Sequence, residues 1–216
     1  SFQTQLAVPP GVSAEDAGLL ITWREVWSAF DDFLLKPGDD IIIFGGGPVG
    51  LSFVMFGRQK ELGEIVLVDS HQNKREIALK LGADAVYPKN APELDDLVGN
   101  RGRPFDAVID AVGSGPVIGR GLTMIGMGRS LCVYGVVGEP EVTLPLSQGP
   151  YNFSMHVHQW PTKSGEAAGH QPVLDLLLAG KTRGDLFLSA EFPFEEVQQA
   201  FAHVDSKVPV KTLLRF

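Results

Sequence analysis

The sequence predicts an α/β fold, a doubly wound parallel sheet of six strands in the order 3-2-1-4-5-6, with further segments flanking it at both ends. Three observations predict it. Short apolar runs rich in Ile and Val recur without polar alternation, as strands buried on both faces of a parallel sheet do. Stretches of about ten to twenty residues with helical pattern separate them, which suits right-handed crossovers between parallel strands. Gly45, Gly47 and Gly50 stand where the first apolar run gives way to a helix.

The elements follow in order. In "SAEDAGLLITWREVWSAF", Ser13 precedes Asp16 by three positions, a capping box in which Asp stands for Glu, so a helix is expected. Trp23, Trp27 and Phe30, at i, i+4 and i+7, give that helix an aromatic face for a neighbour. Lys36-Pro37-Gly38-Asp39 turns the chain. "DIIIFGGG" supplies the first strand, followed by strand "EIVLVDS", helix "NKREIALKLGA", strand "DAVYP" and a polar helix near Glu93 to Val98. Strand "FDAVIDAVG", helix "VIGRGLTMI" and strand "SLCVYGVVG" continue the alternation; after "VTLPL", "NFSMHVHQ" is a sixth strand and "PVLDLLLAGK" a helix closed by Gly180.

Composition narrows the function classes. A chain of 216 residues, 44% hydrophobic and 20% charged, holds one large domain or one domain with a smaller appendage. Its net charge of -8, without a run of five like charges, argues against a phosphate-tracking nucleic-acid surface. Cys132 is the single cysteine, which excludes an intrachain disulfide and a cysteine-rich zinc site, so a reducing, cytoplasmic compartment is expected. No apolar stretch reaches the roughly 18 residues of a membrane span, and Ser1 to Thr4 lack a basic region and an apolar signal core. A chain beginning at Ser1 rather than methionine is expected to be a processed product or a chosen part of a longer one.

The glycines carry the chemistry. In "IIIFGGGPVGLSFVMFGRQKELG" they satisfy G-x-G-x-x-G at a strand-to-helix junction: Gly45 for the tight turn, Gly47 for approach of a pyrophosphate, Gly50 for close packing of helix on strand. The helix N-terminus offers unpaired N–H groups to phosphates, and Pro48 in its first turn sacrifices little. Asp69, nineteen residues after Gly50, ends the second strand, where a carboxylate accepts from both adenosine-ribose hydroxyls and repels a 2'-phosphate. The expected cofactor is therefore NAD in preference to NADP. A helix cap for the segment starting at Ser70 is the other reading of Asp69. The domains are read as a linking segment and helix over 1–30, the NAD-binding Rossmann domain over 31–190, and a C-terminal helix and return strand over 191–216.

The run "PGDDIIIFGGGPVGLSFVMFGRQKELGEIVLVDSHQNKREIALKLGADAV", with "FDAVIDAVGS" and "SLCVYGVVG", resembles the zinc-type medium-chain dehydrogenases, the group of sorbitol, threonine and alcohol dehydrogenases. The likeness extends over nearly the whole chain. It is most specific in GGGPVG and in the LGAD of Leu81 to Asp84, and the tail "FPFEEVQQAFAHVDSK" with "VKTLLRF" matches the family's last helix and return strand. It implies that Gly45, Gly46, Gly47, Pro48, Val49 and Gly50 hold the phosphates, that Lys74 lies near the adenosine ribose, and that Ala111, Val112, Gly113, Gly135 and Val136 line the cofactor. His158 sits where the family often has a polar contact near the nicotinamide; an ordinary strand-end histidine is the alternative.

The resemblance also implies hydride transfer between a secondary alcohol or polyol and NAD, on a zinc held by a separate N-terminal β-rich domain. That domain is not among these residues, so the chain is expected to be the cofactor-binding half, inactive alone, with no catalytic or metal residue of its own. The position of a further family ligand falls on Leu20, Ile21 and Thr22, none of which ligates metal; Glu25, one turn on, is either a substitute or a plain surface residue. His156 and His158 face one way but lack a third ligand nearby, and His71, His170 and His203 read as surface residues. Cys132 reads as an inert core thiol. Two other readings stay open: a zinc-independent reductase of the quinone or enoyl type, and a catalytically silent NAD(H)-binding module. Self-association is expected through the sheet edge formed by "SLCVYGVVGEPEVTLPL" and the sixth strand.

Overall fold

The computed structural model describes residues 6–160 and 162–216, so the reading of Ser1 to Thr4 falls outside the described residues. Contacts divide the chain into two compact units. One joins the N-terminal residues up to Ser28 to Thr162–Phe216, and the other starts at Ala29 and contains the large sheet. Helix α1 (Ala14–Asp32) runs from the first unit into the second. Its capping box forms in altered shape: Ser13 Oγ accepts the Asp16 N–H at 3.0 Å and donates to Asp16 Oδ2 at 3.0 Å.

The sheet unit alternates as its sequence requires: β1 (Ile41–Phe44), α2 (Pro48–Gln59), β2 (Ile65–Val68), α3 (Gln72–Leu81), β3 (Ala85–Tyr87), α4 (Leu97–Arg101), β4 (Phe105–Asp110), α5 (Gly115–Leu122), β5 (Ile125–Val133) and β6 (Phe153–Val157). The strand order is β3-β2-β1-β4-β5-β6, every pair parallel, which is the predicted doubly wound Rossmann sheet. All four residues of β1 and of β2 are buried, because helices cover both faces. Ile42, Phe44, Val66, Val68, Val108, Leu131 and Val133 share one core with Ile118 and Leu122 of α5. Strand alternation sends Ile41 and Ile43 to the opposite face. There the Phe53 ring of α2 meets Phe30, Phe33 and Tyr134 at 5.3, 5.9 and 5.5 Å between centroids.

The polar helix expected near Glu93 to Val98 is broken into a single 3-10 turn, Pro92–Leu94, and the five-residue α4. Gly102, at φ +70°, ends α4 in the left-handed region, leaving no length for a full helix.

An ionic cluster anchors the N-terminal ends of the strands. Asp40, just before β1, accepts the Glu64 N–H at 2.8 Å and pairs with Arg101 at 2.8 Å and with Arg103. Arg101 also pairs with Glu64 at 2.7 Å and lies 3.9 Å over the Phe105 ring. Asp106 accepts the Asp40 N–H at 2.8 Å and pairs with Arg129 at 2.9 Å. Asp40 and Arg101, the buried members, each find several partners, which makes their burial tolerable.

The other unit adds α6 (Lys163–Leu178), β7 (Leu188–Pro193), α7 (Val197–Asp205) and β8 (Lys211–Arg215), with β7 and β8 paired as a small parallel sheet. The predicted return strand is β8; β7 gave no readable pattern. Helix α6 starts nine residues before the expected "PVLDLLLAGK", with Thr162 Oγ1 accepting the Gly165 N–H at 3.1 Å and Pro172 inside the helix. Its glycines hid it from propensity. A Cβ at Gly169 would strike the Arg24 carbonyl of α1, so glycine there lets two helices approach closely. His170 follows in the same stretch and is buried, with Nδ1 lacking a hydrogen-bond partner, which overturns its reading as a surface residue. Trp23 is buried edge-on against Phe187 at 5.6 Å, as the aromatic face of α1 foretold. Among the described residues no helix is long and apolar enough to cross a membrane.

Candidate functional site

Parallel strands bring all their C-terminal ends to one side, and the order reverses between β1 and β4, the place where such sheets bind ligands. The turn after β1 is built there. Gly45 adopts φ +105° and donates its N–H to the Val68 carbonyl at 2.8 Å, a conformation that a side chain would strain. Gly47 is the N-cap of α2 without a side-chain cap bond, and Pro48 takes the first helical position. A Cβ on Gly50 would overlap the Gly45 carbonyl, whereas one on Gly47 meets no atom within 4 Å among the described residues beyond its chain neighbours. Internal packing therefore demands glycine at 50 but not at 47.

Asp69 ends β2 beside this turn. Its Oδ2 accepts the Gly46 N–H at 2.7 Å, and its Oδ1 accepts the His71 N–H at 2.7 Å. The N-cap of α3 is His71, so Asp69 forms a local turn and braces the glycine loop rather than capping the helix. A carboxylate oxygen has two lone pairs: Oδ2 keeps one for a further donor, whereas Oδ1 also lies 3.2 Å from His71 Nδ1. A Cβ on Gly46 would lie 3.0 Å from Lys74 Cβ and 3.2 Å from Asp69 Cβ, so the three residues form one wall.

A pocket of about 300 Å³ opens on that wall, lined by Phe44, Gly45, Asp69, Lys74, Lys89 and Val112 among others. Its volume falls at the lower end of the range for ligand pockets. Motif spacing selected Gly45 and Asp69 and the family resemblance selected Lys74 and Val112; Lys89, in the loop after β3, carried no signal in either. Gly113, at φ +81°, abuts the 135–136 backbone, since a Cβ there would strike the Val136 carbonyl. Val112 and Val136 are apolar yet exposed, at 53% and 71%. Pro48 and Val49 lie in the first turn of α2, half-buried.

His158 goes elsewhere. Its ring is buried between Phe33 and Tyr134, at 5.9 and 5.4 Å, with Nδ1 2.5 Å from Asp32 Oδ2 and no partner on Nε2. Glu25 is not a plain surface residue: it is half-buried, and burial, then the Glu166 carboxylate, push its carboxyl pKa up. Burial pulls nearby Lys211 down. Cys132 is fully buried and its thiol pKa is pushed far up by desolvation, which leaves it unreactive. Among the described residues no three His, Cys, Asp or Glu side chains are grouped to hold a metal ion. A larger cleft of about 450 Å³ includes Asp95, Arg120 and Gln148 but none of the glycine-loop residues, and its Arg120 is already paired to Asp95 at 2.6 Å.

Comparison with known proteins adds the following. The family model described as "Zinc-binding dehydrogenase" matches residues 48–158, about half of the chain. Among curated relatives, the probable D-xylulose reductase A of Aspergillus clavatus is 27% identical over 214 residues, covering 96% of this chain and 58% of the relative. The D-xylulose reductase A of Aspergillus oryzae is 27% identical over 213 residues with the same coverages. Among solved structures, an alcohol dehydrogenase from Thermus sp. ATN1 superposes with a TM-score of 0.87 at 23% identity, over 98% of this chain and 61% of that one. A short chain alcohol dehydrogenase from E. coli CFT073, complexed with cofactor NADH, gives a TM-score of 0.85 at 19% identity, over 98% and 62%. The chain thus spans less than two thirds of the length of these relatives.

Proposed function

The chain belongs to the zinc-binding dehydrogenase family, and from that premise we propose that its sheet unit holds NAD(H), as the cofactor half of an oxidoreductase acting on a secondary alcohol or polyol and its ketone. The observation that carries the reading is the glycine at 47, which the protein's own packing does not require, beside an Asp69 already joined to the Gly46 N–H. Gly45 to Gly47 and the first N–H groups of α2 would hold the pyrophosphate. Asp69 and Lys74 would hold the adenosine ribose, and Ala111 to Gly113, Gly135 and Val136 would wall the rest. The relatives' names, D-xylulose reductase and alcohol dehydrogenase, support a polyol or alcohol substrate. NADH in the E. coli structure supports the cofactor.

Bound there, NAD(H) would supply the hydride acceptor or donor for the alcohol carbon. These residues contribute binding and orientation, which convert an encounter into a positioned one. The zinc of the family's name finds no fitting donor group among the described residues, so no step is assigned to it. The chain alone is therefore expected to bind cofactor without turning over alcohols. Its single, buried cysteine fits the reducing conditions of a cytoplasm.

Lys74 and Lys89 also line the pocket and would attract a 2'-phosphate, but Asp69 is fixed at the pocket wall by two backbone bonds while Lys89 is exposed. The carboxylate decides. Fluorescence titration should show NADH binding at least about tenfold tighter than NADPH, the equivalent of about 1.4 kcal/mol. Equal affinities, or a preference for NADPH, would overturn the role of Asp69, and clear turnover of an alcohol panel with NAD would overturn the division of labour.

We also propose that β6 pairs with a second copy. Among the described residues it has a strand neighbour on one side only, and Met155 and Val157 are exposed along it. Light scattering at tens of micromolar should give about twice the chain mass of 23.3 kDa. A monomer mass would refute the pairing.

A further inference from the structure

Asp110 ends β4 with a fully buried side chain, and it was not among the residues that sequence motifs selected. Its partners are main-chain amides. Oδ1 accepts the N–H groups of Val112 at 2.9 Å and Gly113 at 3.0 Å; Oδ2 accepts those of Gly113 at 3.2 Å and Ser114 at 3.4 Å. The backbone carbonyl of the same residue accepts from Tyr134 and Gly135, both at 2.9 Å. One residue therefore ties down two turns, the first through its side chain and the second through its main chain.

Those turns touch each other and the glycine loop. A Cβ on Gly135 would strike the Gly113 amide, and one on Gly45 would come within 3.0 Å of Val112 Cγ2 and 3.2 Å of the Ala111 carbonyl. Val112 and Val136, one on each turn, are the exposed apolar residues of this edge noted above. Burying a carboxylate is costly, and burial does push the Asp110 pKa up, against the pull of the three amides. An apolar residue would end an interior strand without that cost. The carboxylate is explained by what it holds.

We propose that Asp110 is a positioning residue for the cofactor: it fixes the turns at 112–114 and 134–136 before ligand arrives, so that Val112 and Val136 present a preformed apolar wall to the dinucleotide. This rests on the reading of the strand ends as an NAD(H) site. Preforming the wall removes the ordering cost from binding.

Hydrogen exchange on the unaltered protein without cofactor tests the first half. The amides of Val112, Gly113, Tyr134 and Gly135 should already be protected; if they exchange like free loop and slow only with NADH, the ligand orders the turns and the proposal fails. Asp110→Asn keeps the shape but sets an NH2 group among N–H donors. It should weaken NADH binding about tenfold or more, while exchange from β1 and β2 stays unchanged. Normal NADH affinity in that variant overturns the proposal alone. Failure of the unaltered protein to bind NADH overturns the cofactor reading, and this inference with it. Should Asp110→Asn fail to fold, the exchange measurement still decides whether the turns are preformed.

Discussion

Gly47→Val is expected to abolish NADH binding, by about a hundredfold or more, while shifting the melting temperature by no more than about 3 °C. Gly47 has φ -73° and ψ -176°, extended backbone that valine adopts without strain. Among the described residues, chain neighbours aside, nothing lies within 4 Å of the added Cβ, so packing in the folded state gives little reason to object. A pyrophosphate bound as proposed would, because its approach to the α2 amides needs the surface that the side chain would cover. Isothermal calorimetry reads the binding and circular dichroism the melt. Normal NADH affinity in the variant would make the glycine pattern a coincidence.

Gly50→Val, three residues on, should have the reverse profile. Its Cβ would overlap the Gly45 carbonyl oxygen, and that oxygen cannot retreat: Gly45 is already in the left-handed region, with its N–H bonded to the Val68 carbonyl. Either α2 lifts from β1 or the turn breaks. The cost is expected to be about 3 kcal/mol or more, a drop of roughly 10 °C for a chain of this size, with binding lost as a consequence of misfolding. A melt within about 2 °C of the unaltered protein would show that helix and strand are not held at the distance described.

The contrast between these two glycines explains what the sequence could disclose. The strand order was legible because Ile41–Phe44 and Ile65–Val68 are apolar without interruption, which only a two-faced burial requires. The glycine loop and Asp69 were legible because their spacing is fixed by a rigid strand and helix. Asp110 was not, since nothing in "FDAVIDAVG" distinguishes an acid facing solvent from one gathering three amides. His158 sat at the expected strand end, but a position along a strand does not say whether the ring faces a ligand or an aromatic cluster, and here Phe33 and Tyr134 enclose it. Helix α6 was read short because glycines signal breaks locally, while Gly169 serves a close helix crossing set by residues over a hundred positions away.

The ionic cluster around Asp40 and Arg101 lies at the strands' N-terminal ends, and the ligand-facing turns at the other. The register of the sheet is thus braced at the end opposite to the turns that we assign to NAD(H). Libraries that randomise Ser70, Lys89 and Val136 would explore new cofactors and analogues without drawing on the reserves that keep the strands aligned.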